Sequence, residues 1–126
     1  MLPKFLKVVT KVTIMTESQL QQQIVLFERN NYSIKNESLI FAVPNGGSRN
    51  PIEAKNLKLT GSMAGVSDLI LIIESKVYFI ELKIEKGIQS DLQKTFETKV
   101  NNLGFKYLII RSLEDYKTFR KKVLLF

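Results

Sequence analysis

The chain has 126 residues, of which 44% are hydrophobic and 25% are charged, and this length and composition fit one globular domain with a modest core. It contains no cysteine and no histidine, which excludes disulfides, thiol nucleophiles, histidine bases and most zinc or copper sites. A metal would have to be held by carboxylate and carbonyl oxygens, which suit magnesium, manganese or calcium. The formal net charge of +7 favours a polyanionic partner such as nucleic acid, although it could also serve solubility alone.

Residues 1–15 are predicted to form an N-terminal arm or an extra strand, because apolar and polar residues alternate loosely from Val8 to Ile14. Lys7 and Lys11 interrupt the apolar stretch, and no small-residue cleavage site follows, so this segment would make a poor signal peptide. No apolar run is long enough to span a membrane. We therefore expect a cytoplasmic protein without membrane contact, with a single domain over residues 16–126.

Helices are predicted where a capping residue precedes an apolar repeat of helical period. The predicted caps are Thr16 with Gln19, Asn50 with Glu53, Ser90 with Gln93, and Ser112. The first helix should end at Asn30 and Asn31, the second at Gly61 and the third at Gly104.

Strands are predicted at residues 38–43, 68–73, 77–83 and 105–111. The second and third strands should form a hairpin, and the helix that follows can serve as a crossover to a parallel fourth strand. The resulting order is helix, strand, helix, hairpin, helix, strand, helix. It predicts an α/β fold with a mixed central sheet flanked by helices.

Three charged residues of the predicted hairpin could form a catalytic site. Asp68 begins one strand, and Glu81 and Lys83 lie two residues apart on the other, so their side chains point to the same face. The two carboxylates and the Leu82 carbonyl could bind a divalent cation, while Lys83 could orient a water or stabilise a transition state. The alternative is an ordinary charged pair on an exposed strand, which this spacing alone favours.

Four short segments give this site a wider context. They are residues 43–47 (Val-Pro-Asn-Gly-Gly), 65–69 (Gly-Val-Ser-Asp-Leu), 79–83 (Phe-Ile-Glu-Leu-Lys) and 90–93 (Ser-Asp-Leu-Gln). Each is weak alone, but their order resembles the VRR-NUC family (virus-type replication-repair nucleases) of the PD-(D/E)xK nuclease superfamily. Ser67 stands where that family usually has proline, so we expect a slightly looser loop before Asp68.

The resemblance implies a restriction-endonuclease-like α-β-β-β-α-β core that binds Mg²⁺ or Mn²⁺. Asp68 and Glu81 would be metal ligands, Lys83 the catalytic lysine, and Glu17 a carboxylate that reaches the metal directly or through water. Gln93 would hold the lysine or a phosphate. Simpler explanations stay open, because Glu17 is also a favourable first-turn acid and Gln93 also completes a capping box.

Basic and polar residues near the predicted site are candidate contacts to DNA. They are Asn45, Arg49, Lys55, Lys58, Lys86 and Ser90. The basic residues of the last helix (Lys117, Arg120, Lys121 and Lys122) are expected to form a solvated face, although they could also extend the DNA-binding surface. Tyr107 and the other aromatic residues are expected in the core, so no stacking platform for single strands is predicted.

We therefore expect a metal-dependent, structure-selective DNA endonuclease, similar to phage Holliday junction resolvases and without a nucleotide cofactor. Symmetric cutting of a four-way junction needs two sites related by a two-fold axis, so a homodimer is expected. The alternatives are a non-catalytic DNA-binding module that retains the fold and an interaction or scaffold protein. The intact Asp68, Glu81 and Lys83 count against both.

Overall fold

The computed structural model describes residues 14–44 and 50–124. Its elements are α1 (Glu17–Asn31), a 3-10 helix (Ser33–Lys35), β1 (Leu39–Ala42), α2 (Pro51–Leu59), β2 (Leu69–Ile73), β3 (Lys76–Leu82), α3 (Asp91–Asn102), β4 (Lys106–Ile110) and α4 (Leu113–Val123). This order of helices and strands confirms the prediction. Residues 1–13 of the arm predicted at residues 1–15, as well as Asn45 and Arg49, lie outside the described residues.

The strands form one mixed sheet in the order β1-β2-β3-β4. The β1–β2 and β2–β3 pairs are antiparallel, and the β3–β4 pair is parallel. The β2–β3 hairpin turns through Glu74 and Ser75, and Glu74 adopts a φ of 54°, in the left-handed region that such tight turns use. The parallel pair is possible because α3 carries the chain back to the start of β4.

The helices begin where the capping residues predicted them. Thr16 and Ser90 form complete capping boxes with Gln19 and Gln93. Asn50 accepts hydrogen bonds from the backbone at the start of α2, and the Ser112 hydroxyl does the same for α4. No helix in the described part of the chain is long and apolar enough to cross a membrane.

Alternate residues of β3 point to opposite faces of the sheet, and each face is covered differently. On one face α1 and α4 enclose the main core, whose buried residues are Leu20, Ile24, Ile40, Leu69, Leu71, Tyr78, Ile80, Leu82, Ile110 and Tyr116. On the other face Phe79 packs edge-to-face against Phe96 of α3 at a centroid distance of 5.8 Å. Helix α2 buries none of its residues.

The main core contains one ion pair, and this corrects the expectation that Arg120 lies on a solvated face. Arg120 is 1% exposed and donates to the two carboxylate oxygens of Glu28 at 2.7 and 3.2 Å. Its guanidinium carbon also lies 3.7 Å from the ring centroid of Tyr32. Because a buried charge is costly without a partner, Glu28 and Arg120 are tolerated in the core as a pair.

Candidate active site

The register of the β2–β3 hairpin brings Asp68 and Glu81 together. Leu69 pairs with Ile80 in the antiparallel ladder, so the next position places Asp68 opposite Glu81. Asp68 is held by the opposite strand, since its Oδ2 accepts a hydrogen bond of 2.7 Å from the backbone N–H of Leu82. The two predicted carboxylates therefore lie side by side.

The loop that leads into Asp68 packs against the start of α3. Gly65 has a φ of +86°, and a Cβ atom there would lie 2.5 Å from the carbonyl oxygen of Leu92, so only glycine fits. Ser67 is 1% exposed, and its hydroxyl donates to the Leu69 carbonyl at 3.4 Å. These contacts provide part of the restraint that a proline before Asp68 would have given.

The Glu81 side chain is only 2% exposed, and both of its carboxylate oxygens have polar partners within the protein. Oε1 accepts a 2.9 Å hydrogen bond from the Gln93 amide and lies 3.8 Å from the Lys83 ammonium. Oε2 accepts a weaker bond of 3.5 Å from the Tyr107 hydroxyl. Glu81 and Lys83 are thus not the solvated edge pair that the spacing alone favoured.

The charge balance at this site disfavours ionisation of Glu81. Burial, and after it the negative charge of Asp68, raises the pKa of Glu81 to about 8, even though Lys83 acts in the opposite direction. Burial likewise raises the pKa of Tyr107 above its usual value, so the phenol stays protonated and can donate to Glu81. The Lys83 ammonium therefore does not offset burial and the neighbouring carboxyl group, and a hard divalent cation would supply the additional positive charge.

Gln93 has two structural roles at once. Its side-chain oxygen accepts a 2.9 Å hydrogen bond from the Ser90 N–H, which completes the predicted capping box. Its side-chain nitrogen donates to Glu81. The resemblance implied that Gln93 holds the lysine or a phosphate, whereas the structure shows its amide bound to the carboxylate beside Lys83.

All the implied metal ligands, Asp68 and Glu81 included, stay predictions. Within residues 14–44 and 50–124, no group of three or more acidic, histidine or cysteine side chains is arranged to hold a metal. Glu17 is exposed in the first turn of α1, and its charge makes a small contribution to the raised pKa of Glu81. The backbone N–H of Leu82 donates to Asp68, and the role of the Leu82 carbonyl as a metal ligand stays a prediction.

The candidate DNA contacts that can be described lie on exposed segments. Lys55 and Lys58 are exposed on α2, and Lys86 is exposed in the loop that follows Lys83. The Ser90 hydroxyl accepts a hydrogen bond from the Gln93 backbone, as its cap role requires. A role in DNA binding stays a prediction for all of them.

Sequence reasoning missed two residues beside the site. Tyr107 was expected in the core and is buried, yet its hydroxyl faces Glu81. The sequence offered no local signal for this contact, because it depends on the β3–β4 register, which places Tyr107 opposite Phe79. Arg111 was not singled out, and its guanidinium donates to the carbonyls of Glu85 and Gly87 at 3.0 and 2.8 Å. It thereby holds the loop that carries Lys86.

Comparison with solved structures shows which known fold this architecture matches. The chain superposes on a protein described as a "VRR_NUC domain protein" with a TM-score of 0.69, over 88% of this chain and 89% of that one. Only 17% of the residues are identical, so the likeness is one of fold. Neither a protein-family model nor a curated protein matches the sequence. The fold implied by the four sequence motifs is thus confirmed, because the chain shares the fold of this VRR_NUC domain protein.

Proposed function

We propose that this protein is a divalent-metal-dependent endonuclease that hydrolyses DNA phosphodiester bonds. The observation that carries the proposal is the cluster of Asp68, Glu81 and Lys83, with two adjacent carboxyl groups and an ammonium 3.8 Å from one of them. The nuclease fold and the net charge of +7 support a polyanionic substrate.

In this proposal Asp68 and Glu81 hold Mg²⁺ or Mn²⁺ through carboxylate oxygens, with the Leu82 carbonyl and Glu17 (through water) as further candidates. When bound, the dication would supply the positive charge that activates water and neutralises a phosphate. Gln93 keeps Glu81 in one orientation by a hydrogen bond to its carboxylate. Lys83, whose side chain is 13% exposed, orients the attacking water or stabilises negative charge on the phosphate.

We further propose that the substrate is branched DNA, such as a four-way junction, and that the active species is a homodimer. The described elements include no motif for reading base sequence, so recognition of DNA shape fits better. Symmetric cutting of a junction needs two copies of the site. Cleavage of linear, nicked, flap and four-way DNA with magnesium, manganese or EDTA identifies the substrate. Light scattering at tens of micromolar, about tenfold above an assumed dimer constant of about 1 µM, should show a dimer.

Two conservative substitutions test the active site. Asp68→Asn and Glu81→Gln keep the side-chain shape but remove negative charge, so each should abolish cleavage and weaken metal binding. DNA affinity should stay the same or rise, because negative charge beside phosphates is removed. Glu114→Gln is the matched control, since Glu114 is an exposed carboxylate on α4 that pairs only with Lys117 among the described residues.

The measurements are cleavage in magnesium, junction binding in calcium and metal titration. Wild-type cleavage rates in both Asp68→Asn and Glu81→Gln would show that the proposed site is wrong.

A non-catalytic DNA-binding module is the second candidate. It is favoured by one observation, namely that Asp68 and Glu81 have no third acidic group arranged with them in the described part of the chain. Such a protein would bind a four-way junction at moderate salt but leave it uncut in magnesium and in manganese. The cleavage assay on the wild-type protein therefore separates the two candidates.

A further inference from the structure

A pocket of about 440 Å³ lies on the opposite face of the sheet from the candidate active site and at the opposite end of β3. It is formed between the first residues of β3 and β4 and the outer side of α4. Its apolar lining comes from Tyr78, Leu108, Phe119 and Val123. Its volume is within the range of pockets that take small molecules or single large side chains.

The rim of this pocket is strongly basic. Three lysines (Lys76, Lys106 and Lys122) line it, against a single acidic residue, Asp115. Lys106 and Lys122 are exposed, so their charges can meet a ligand without a large cost of desolvation. The combination of an apolar interior and a positive rim is complementary to a ligand that has an apolar group flanked by negative charges.

The position of the pocket at the sheet edge favours a peptide over duplex DNA. β4 is an edge strand in the described sheet, so an extended chain could lie along it. The phosphates of duplex DNA would reach the lysines but would leave the apolar interior empty, because the bases are stacked inside the helix. A peptide can fill the interior with an aromatic or aliphatic side chain.

We propose that this pocket, lined by Tyr78 and Phe119 and bordered by Lys106 and Lys122, binds an acidic peptide segment of a partner protein. One aromatic or aliphatic side chain of the peptide enters the pocket, and carboxylates on either side contact the lysines. This interaction is independent of the nuclease proposal, because no residue of the Asp68–Glu81 cluster lines the pocket.

The probe is a fluorescein-labelled peptide of nine residues, with a central phenylalanine flanked by aspartates and glutamates. Its binding to the protein is measured by fluorescence anisotropy. Two further peptides replace the phenylalanine with serine or all acids with their amides. Lys122→Glu is compared with Lys121→Glu, because both change the net charge equally on adjacent exposed positions of α4 and only Lys122 lines the pocket. Thr118→Trp places a large side chain in the pocket from another exposed position.

We expect Lys122→Glu to weaken binding of the acidic phenylalanine peptide about tenfold, and Lys121→Glu to weaken it less than about threefold. Both control peptides should bind at least about tenfold more weakly than the acidic phenylalanine peptide. Thr118→Trp should abolish binding and leave junction cleavage at the wild-type rate. Should Thr118→Trp fail to fold, the comparison of Lys121→Glu with Lys122→Glu decides whether the peptide binds at the pocket.

Three results would overturn the proposal. The first is an equal loss for Lys121→Glu and Lys122→Glu, which would mean that only net charge matters. The second is equal binding of the serine peptide, which would mean that the apolar interior is not used. The third is a pair of results that would make the pocket a DNA contact. Four-way DNA would displace the peptide, and Lys122→Glu, but not Lys121→Glu, would bind DNA more weakly.

Discussion

Two glutamates are almost fully buried on opposite faces of the same sheet, Glu28 at 0% and Glu81 at 2% exposure. Glu28 receives two hydrogen bonds from the Arg120 guanidinium, one of 2.5 Å from the Tyr116 hydroxyl and one from the Ser38 hydroxyl. Glu81 receives an amide bond and a long phenol bond, has an ammonium at 3.8 Å, and lies beside a second carboxyl group.

This difference separates a carboxylate whose charge is balanced by a guanidinium within the fold from the one that we propose is functional. A guanidinium in direct contact balances the charge of Glu28 within the fold, although the buried Nη1 of Arg120 has no hydrogen-bond partner among the described residues. Within the ranges that the structure describes, no guanidinium contacts Glu81, and burial, followed by the negative charge of Asp68, raises its pKa despite the Lys83 ammonium 3.8 Å away. A buried carboxyl group beside a half-buried one, with the Lys83 ammonium 3.8 Å from the first, is the kind of site that we propose a metal ion completes.

Breaking the Glu28 cluster should produce the largest loss of stability. Arg120→Met leaves Glu28 buried without its cation, which should cost about 3–5 kcal/mol in the free energy of unfolding. Lys121→Met, on the exposed side of the same helix, should change it by less than about 0.5 kcal/mol. Urea unfolding measures both. The double variant Glu28→Leu/Arg120→Met should be more stable than Arg120→Met alone; an equal or greater loss would show that the ion pair is not the cause.

Removal of Lys83 should affect catalysis rather than stability. Lys83→Ala keeps both carboxylates, so metal binding should survive while the cleavage rate falls about 10²–10³-fold, the scale for loss of one charge-stabilising group. Lys86→Ala, three residues further in the exposed loop, is the control and should lower DNA affinity without a comparable loss of rate. Single-turnover cleavage and metal titration separate these effects. Wild-type cleavage by Lys83→Ala would remove the lysine from the mechanism.

The raised pKa of Glu81 predicts that the metal-free protein becomes less stable as the pH rises. The raised pKa of about 8 means that the folded state keeps the proton of Glu81 up to about pH 8, whereas the unfolded chain releases it near the ordinary glutamate pKa of 4.5. The free energy of unfolding should therefore fall by on the order of 3 kcal/mol between pH 5 and pH 8, because one pKa unit corresponds to about 1.4 kcal/mol. Urea unfolding in EDTA measures this loss.

Two controls sharpen the pH experiment. Glu81→Gln should flatten the dependence, because the amide does not titrate in this range. Magnesium should restore stability at pH 8 in the wild type but not in Glu81→Gln. An unchanged slope in Glu81→Gln would assign the pH dependence to other groups.

The smallest expected effects come from the two residues that orient Glu81. Gln93→Leu removes a 2.9 Å hydrogen bond and should lower the cleavage rate about tenfold, whereas Tyr107→Phe removes a 3.5 Å bond and should lower it about threefold. Both should also shift the pH dependence of cleavage, which a purely structural role would leave unchanged. Tyr78→Phe, a tyrosine on the other face of the sheet, is the control. Equal effects of Tyr78→Phe and Tyr107→Phe would remove Tyr107 from the site.

The local sequence determined the helices, the strands and their order. Capping boxes at Thr16 and Ser90 depend on residues three positions apart, and the alternation along β2 and β3 depends on immediate neighbours. The Asp68, Glu81 and Lys83 cluster could be proposed for the same reason, because the hairpin that joins them is a short-range structure. The four motifs predicted the particular fold, and the structural comparison confirms that prediction.

Only the tertiary structure decided which charged residues are buried and what they contact. Glu28 and Arg120 are 92 residues apart in the chain, and in the sequence each resembles an ordinary polar residue of an amphipathic helix. They are buried together only because α1 and α4 pack side by side. Tyr107 reaches Glu81 because β4 lies parallel to β3, in a register that no local pattern specifies. The physical reason is that capping and periodicity act over three or four residues, whereas charge pairing in a core depends on which distant surfaces exclude water together.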